Sequence, residues 1–182
     1  MKNLVFAVLL ITATSLSAQT FELTPTGFKA AENEYLVVDV SNKTAAELFL
    51  ITKLYLTKTY KSSKDVMSLV DNKMITLNGY QPKSVRRTSM HRFDMSYNIT
   101  IQFKDGKVRF DAPTFNLTAY NKHPQTLHLY WPKFSLDGSN LGIYGKKNKL
   151  KSKKAKQDLE DFFNGMIKQL TTDYKNESKD DW

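Results

Sequence analysis

The sequence predicts an α+β domain: an antiparallel, meandering sheet with two helices packed on one face. Three observations carry this. A helical pattern near the start and another at the end bracket a run of strands with period-two alternation. Asp105-Gly106 joins the clearest two of those strands, and that dipeptide is the preferred pair of a two-residue type I′ hairpin. No internal repeat and no long helical hydrophobic run competes with the assignment.

The elements follow in order. Residues 1–18 have the grammar of a cleaved export signal: Lys2, an apolar run from Leu4 to Ala13, then the small-residue exit Ser15-Leu16-Ser17-Ala18. The apolar run is too short to span a bilayer, which needs about twenty residues. Residues 19–32, with Pro25 and Gly27, read as a loose lead-in. The expected domain is 33–175, with an irregular excursion over 121–150 and a tail over 176–182.

Within it, Asn33 to Val40 is β-branched and aromatic and reads as a strand. Thr44-Ala45-Ala46-Glu47 is a capping box, opening a helix over 43–60 whose stripe is Leu48, Ile51 and Leu54 or Tyr55. Strands follow at 66–70 and 73–80, the second expected to end at Pro82. The stretch Ser84 to His91, with Arg86, Arg87, His91 and Arg92 close together, reads as a loop or exposed edge. Residues 93–104 and 107–111 form the hairpin, and 115–119 resumes the sheet after Pro113. Prolines 124 and 132 and glycines 138, 142 and 145 then point to irregular chain. A final helix over 153–174 carries the stripe Leu159, Phe162, Phe163, Met166, Ile167, Leu170 and Tyr174.

Four stretches resemble a known family: EYLVVDVSNKTAAELFLITKLYLTKTY, SKDVMSLVDNKMITLNGY, MSYNITIQFKDGKVRFDAPTFNLTAY and KAKQDLEDFFNGMIKQL. In order and texture they are similar to a secreted Bacteroidetes family of unknown function with a TATA-binding-protein-like fold. The resemblance implies the order β-α-β-β-β-β-α. It implies no catalytic residue and, because fold does not fix function, no DNA binding.

The chemistry is mostly defined by what is missing. The chain has no Cys, which excludes disulfides, thiol nucleophiles and a lipoprotein-type anchor on cysteine. His91, His123 and His128 lack metal-site spacing. There is no G-x-S-x-G elbow, Walker loop or dinucleotide fingerprint, so neither metal nor cofactor is expected. Ser139, Asp137 and His128 form a triple of the kind that chance produces. Asp158, Glu160 and Asp161 belong on the solvated side of the last helix.

Two features remain as candidate sites. Lys146, Lys147, Lys149, Lys151, Lys153, Lys154 and Lys156 form a block at the start of the last helix, in a chain of net charge +9. It is either a solvated loop or a surface for anionic lipid or glycan. Tyr130, Trp131 and Phe134 are either an aromatic platform for a ligand or a cover for the sheet. The expected function is that of a non-enzymatic exported binding or structural domain of the cell envelope, periplasmic, surface-held or secreted. Its partner would be an envelope protein or an anionic surface, with no nucleic acid and no membrane span in the mature chain. The alternatives are a subunit that joins a larger envelope assembly by strand addition, and a hydrolase whose site has no recognised motif.

Overall fold

The computed structural model describes residues 20–60, 62, 66–120 and 123–176. The expected export signal over 1–18 and nearly all of the expected tail lie outside the described residues. Among those residues the chain forms eleven strands and two helices. They are β1 (Glu22–Thr24), β2 (Gly27–Lys29), β3 (Tyr35–Asp39), α1 (Ala45–Thr59), β4 (Met67–Val70), β5 (Met74–Arg86), β6 (Arg92–Lys104), β7 (Lys107–Asp111), β8 (Thr114–Ala119), β9 (Gln125–Tyr130), β10 (Asn140–Gly145), β11 (Lys149–Leu150) and α2 (Lys153–Lys175).

The long strands β5 and β6 are the spine. The sheet runs β11-β10-β9-β8-β6-β5-β4, while β7 pairs with the other half of β6 and carries β3 on its far side. Every pair is antiparallel except β9 with β10. Alternation along β6 sends Phe93, Met95, Tyr97, Ile99, Ile101 and Phe103 to the buried side. Both helices cover that side. Phe163, Leu159, Leu170 and Tyr174 of α2 are buried there, and Phe49 of α1 meets Phe103 edge-on at 5.6 Å. A buried hydrogen bond between Thr52 and Tyr174, 2.6 Å long, ties α1 to α2.

The capping box closes as its residues dictate: Glu47 N–H donates to Thr44 Oγ1, and Thr44 N–H donates to the Glu47 carboxylate at 2.7 Å. The buried residues of α1 are Leu48, Phe49, Thr52 and Leu56, and Leu54 is exposed. Apolar residues surround this helix, so spacing alone does not select its inner face.

Four expectations are corrected. The lead-in is an antiparallel hairpin, β1–β2, that puts Phe21, Leu23, Phe28 and Ala30 into the core. Strand β5 runs through Pro82. Its register shifts between Gln81 and Val85, and the bulge absorbs the missing N–H. Lys83 there has φ +50°, and its N–H donates to Asp94 Oδ1 at 2.7 Å. The excursion over 121–150 contains three strands, so among its described residues the irregular part shrinks to 123–124, the 131–139 connection and a 3-10 turn at Lys146–Asn148. The Asp105-Gly106 turn is not type I′. Gly106 has φ +73°, whereas Asp105 is not among the residues of positive φ. Its carboxylate instead accepts the Ala45 N–H at 2.8 Å, spending the turn on the start of α1.

Candidate functional site

The lysine block sits where β10 and β11 meet the start of α2. Ser152 caps α2, its Oγ accepting from Ala155 N–H. The helix therefore begins inside the block, with no acidic residue in its first turn to answer the positive end of the dipole. Lys146, Lys147, Lys149, Lys151, Lys153 and Lys154 are exposed.

Lys156 is not part of that surface. Its side chain is only 20% exposed. Its ammonium pairs with Glu160 one turn on, reaches Glu22 at 3.3 Å and donates to the Leu23 carbonyl at 3.1 Å. Glu160 in turn accepts Leu23 N–H at 2.7 Å. Lys156 and Glu160 thus dock β1 on α2. Asp158 also leaves the solvated face expected for it. It is 9% exposed and accepts from Arg86 Nε at 2.9 Å and from Arg86 N–H at 2.7 Å. Burial alone would raise its carboxyl; the hydrogen bonds and charge of Arg86 outweigh that and hold it below the usual range.

That ion pair brings a second basic segment to the lysines. The β5–β6 connection folds against the start of α2. Lys154 Nζ donates to Ser89 Oγ at 2.9 Å. Arg92 lies close enough to Asp158 to lower it further, and its guanidinium reaches the Lys83 carbonyl at 3.5 Å. Lys83, Arg87 and Arg92 therefore share one end of the molecule with Lys153 and Lys154. The density of Lys83, Arg86, Arg87 and Arg92 within ten residues was a visible signal. Its convergence with the lysine block, some 65 positions on, was not.

The aromatic trio does not assemble as one platform. Trp131 is half-buried, stacked on His128 with centroids 4.7 Å apart, and seated on Gly142, where a Cβ would come within 2.9 Å of Trp131 Cβ. Tyr130 is partly exposed, and Phe134 stands 86% exposed on the 131–139 connection. The triple Ser139, Asp137 and His128 does not assemble either. Ser139 Oγ donates to Asp137 at 2.8 Å, but His128 Nε2 contacts Asn140 Oδ1 at 2.7 Å, leaving the serine without a base. Ser135 and Ser139 hold Asp137 down to about 2, making it a loop clamp. Among the described residues, no three His, Asp or Glu side chains gather as a metal site, and no helix is long and apolar enough to cross a membrane.

From β3 onward the order opens as the resemblance implied, β-α-β-β-β-β through β7, but four further strands, β8 to β11, precede the last helix. Residues 35–118 match the family described as "Domain of unknown function (DUF4468) with TBP-like fold". Over that stretch the chain is similar to DUF4468 domains. The match runs from the start of β3 almost to the end of β8, so the lysine block lies beyond it. Two solved structures share the fold. One is a TBP-like protein from Parabacteroides distasonis, 14% identical, TM-score 0.57, covering 78% of this chain and 91% of that one. The other is a DUF4468 family protein from Bacteroides ovatus, 15% identical, TM-score 0.51, covering 80% of this chain and 86% of that one. No curated protein matches.

Proposed function

We propose that this protein is an exported, non-enzymatic binding domain of the bacterial envelope, which meets clustered phosphate or carboxylate groups with its basic end. One observation carries the reading: two basic segments far apart in sequence converge, with Lys154 bonded to Ser89 across the join. Cations gathered on one end make a stronger local field than the same charge spread over the surface. The residues assigned to the contact are Lys146, Lys147, Lys149, Lys151, Lys153 and Lys154, with Lys83, Arg87 and Arg92. Export rests on the residue pattern of 1–18, and mass spectrometry of envelope protein should find a start at Ala18 or Gln19.

The test is cosedimentation with phosphatidylglycerol vesicles, lipopolysaccharide micelles and neutral phosphatidylcholine vesicles. Binding to an anionic arm should fall steeply with salt, because exposed charges are screened beyond about 10 Å at 0.1 M. The two anionic arms separate lipid from glycan phosphate. Equal binding to all three, or none to any, would sink the reading.

Strand addition is the second reading, favoured by β4. Among the described residues this four-residue strand pairs only with β5, and Leu69 and Val70 are exposed on it. Such an edge is a template for another chain. Cross-linking of envelope fractions that is lost in Val70→Pro would support it.

A further inference from the structure

The face of the sheet away from the helices carries a groove that the basic end does not use. Leu77 and Tyr97 point to the core, so their strand neighbours point outward. Two cross-strand rows result. One is Asn78, Asn98 and Thr114; the other is Tyr80, Ser96 and Asn116. They wall a groove of about 430 Å³ whose floor is the backbone of the row between them. The walls are two residues apart along each strand, roughly 6.6 Å. That is a centre-to-centre spacing, so an extended chain lies along the two rows, against their side chains, and a helix of about 10–12 Å diameter cannot enter between them.

Among the described residues none that lines the groove carries a charge, although the chain has net charge +9. The two rows present carboxamide and hydroxyl groups with one exposed aromatic ring, and Val66 adds an apolar contact at the β4 side. Tyr80 is held in place: its OH donates to Asp94 Oδ2 at 2.7 Å, and Asp94 is itself fixed by Lys83 N–H. Asn98 Nδ2 donates to Asn78 Oδ1 at 2.7 Å, which orients both amides and leaves Asn98 Oδ1 and Asn78 Nδ2 for a ligand. The side chains of Ser96, Thr114 and Asn116 have no hydrogen-bond partner among the described residues.

We propose that this groove binds a neutral glycan, a chain of uncharged polyhydroxylated rings. Each ring has an apolar face that can lie on Tyr80 and an edge of hydroxyls that both donate and accept. Asn, Ser and Thr side chains answer hydroxyls in either sense, and a pinned tyrosine supplies contact area at little entropic cost. Among the described residues of the lining a polyanion finds no cation. An apolar segment would leave the amide walls unpaired, which is costly.

The proposal stands apart from the basic end, and the experiment separates the two. Cellohexaose, chitohexaose, maltohexaose and mannohexaose are titrated into the 15N-labelled protein at high salt, where any contact through the basic end is screened. At least one should shift the amide resonances of Gly79, Tyr97, Asn98 and Phe115. Asn98→Ala with Asn116→Ala, and separately Tyr80→Ala, should weaken that binding about tenfold or more. Tyr80→Phe keeps the ring and should retain most of it. These side chains are solvent-facing, and unchanged thermal melting of each variant establishes that the fold persists. The proposal is overturned if no neutral hexasaccharide shifts these resonances at millimolar concentration, if the shifts map elsewhere, or if an uncharged extended peptide binds the groove and the sugars do not.

Discussion

Gly79 shows how one missing atom sets local packing. It faces Tyr97 across β5 and β6, and a Cβ at Gly79 would overlap the Tyr97 ring. The ring lies over the strand, meets Phe162 and Phe163 edge-on at 5.2 and 5.5 Å, and sends its hydroxyl to Tyr60. Gly79→Ala should therefore displace a packed aromatic and cost about 1–3 kcal/mol, the usual range for overpacking. Urea denaturation measures it, and an unchanged midpoint would mean the ring has somewhere else to go. Asp158 makes a different claim, about pH. Its native pKa lies below the unfolded value of about 3.9. The folded state is thus favoured when the group is ionised. That contribution is present above the unfolded pKa and is lost as pH falls through the native one. Asp94 and Glu47 are lowered too, so the wild-type curve alone cannot isolate Asp158. The stability gap between wild type and Asp158→Asn should be wide at neutral pH and narrow as pH falls below about 4.

Elements differ in how far their causes lie along the chain, and that distance decides what a sequence can disclose. The cap of α1 is three residues wide, and the β6–β7 hairpin joins neighbours, so both are legible. Even there the turn type was not, because Asp105 answers to Ala45, which is 60 positions away. Gly106→Val should still cost at least about 1 kcal/mol in chemical denaturation, since φ +73° is strained for a β-branched residue. The β1–β2 hairpin was illegible for the same reason on a larger scale. Its strands are three residues each, too short to show a period, and its anchors are on α2. Asn164 holds Phe21 by both N–H and C=O at 2.8 and 2.9 Å. Phe28 then meets Phe21, Phe115 and Phe163 edge-on at 6.1, 5.9 and 5.2 Å. Phe28→Ala should cost about 3–5 kcal/mol and should loosen the hairpin first, seen as faster amide exchange at Leu23. Strand β10 was hidden by its own glycines, and β9 by the prolines at 124 and 132 that flank it. Gly142 makes room for Trp131, and Gly145 makes room for the Lys151 stem. Neither need is visible without the neighbour. Of the candidate site, the lysines were legible as composition, whereas their separation into exposed and buried members depended on where β1 docks.

That separation lets the charge of the whole molecule be tested for structure and surface at once. Seven lysines were grouped by sequence, and the fold divides them six to one. The six exposed members repel one another, and Lys153 and Lys154 oppose the α2 dipole at about 0.3–1 kcal/mol each. Changing all six to Gln should leave stability equal or higher. Lys156 is different in kind. Without its ammonium, Glu160 and the Leu23 carbonyl lose a partner at the β1–α2 contact. Lys156→Gln should cost about 1 kcal/mol in chemical denaturation, a modest figure because the pair is partly solvated. The binding arm runs the other way. A lysine near an anionic surface contributes roughly 1 kcal/mol, so losing six should abolish vesicle binding while losing one barely registers. Lys156→Gln should therefore bind phosphatidylglycerol vesicles as wild type does, and the six-Gln protein should not. If Lys156→Gln weakens binding as much as the six-Gln change, the contact runs through the β1–α2 junction and the basic end is only solvated charge.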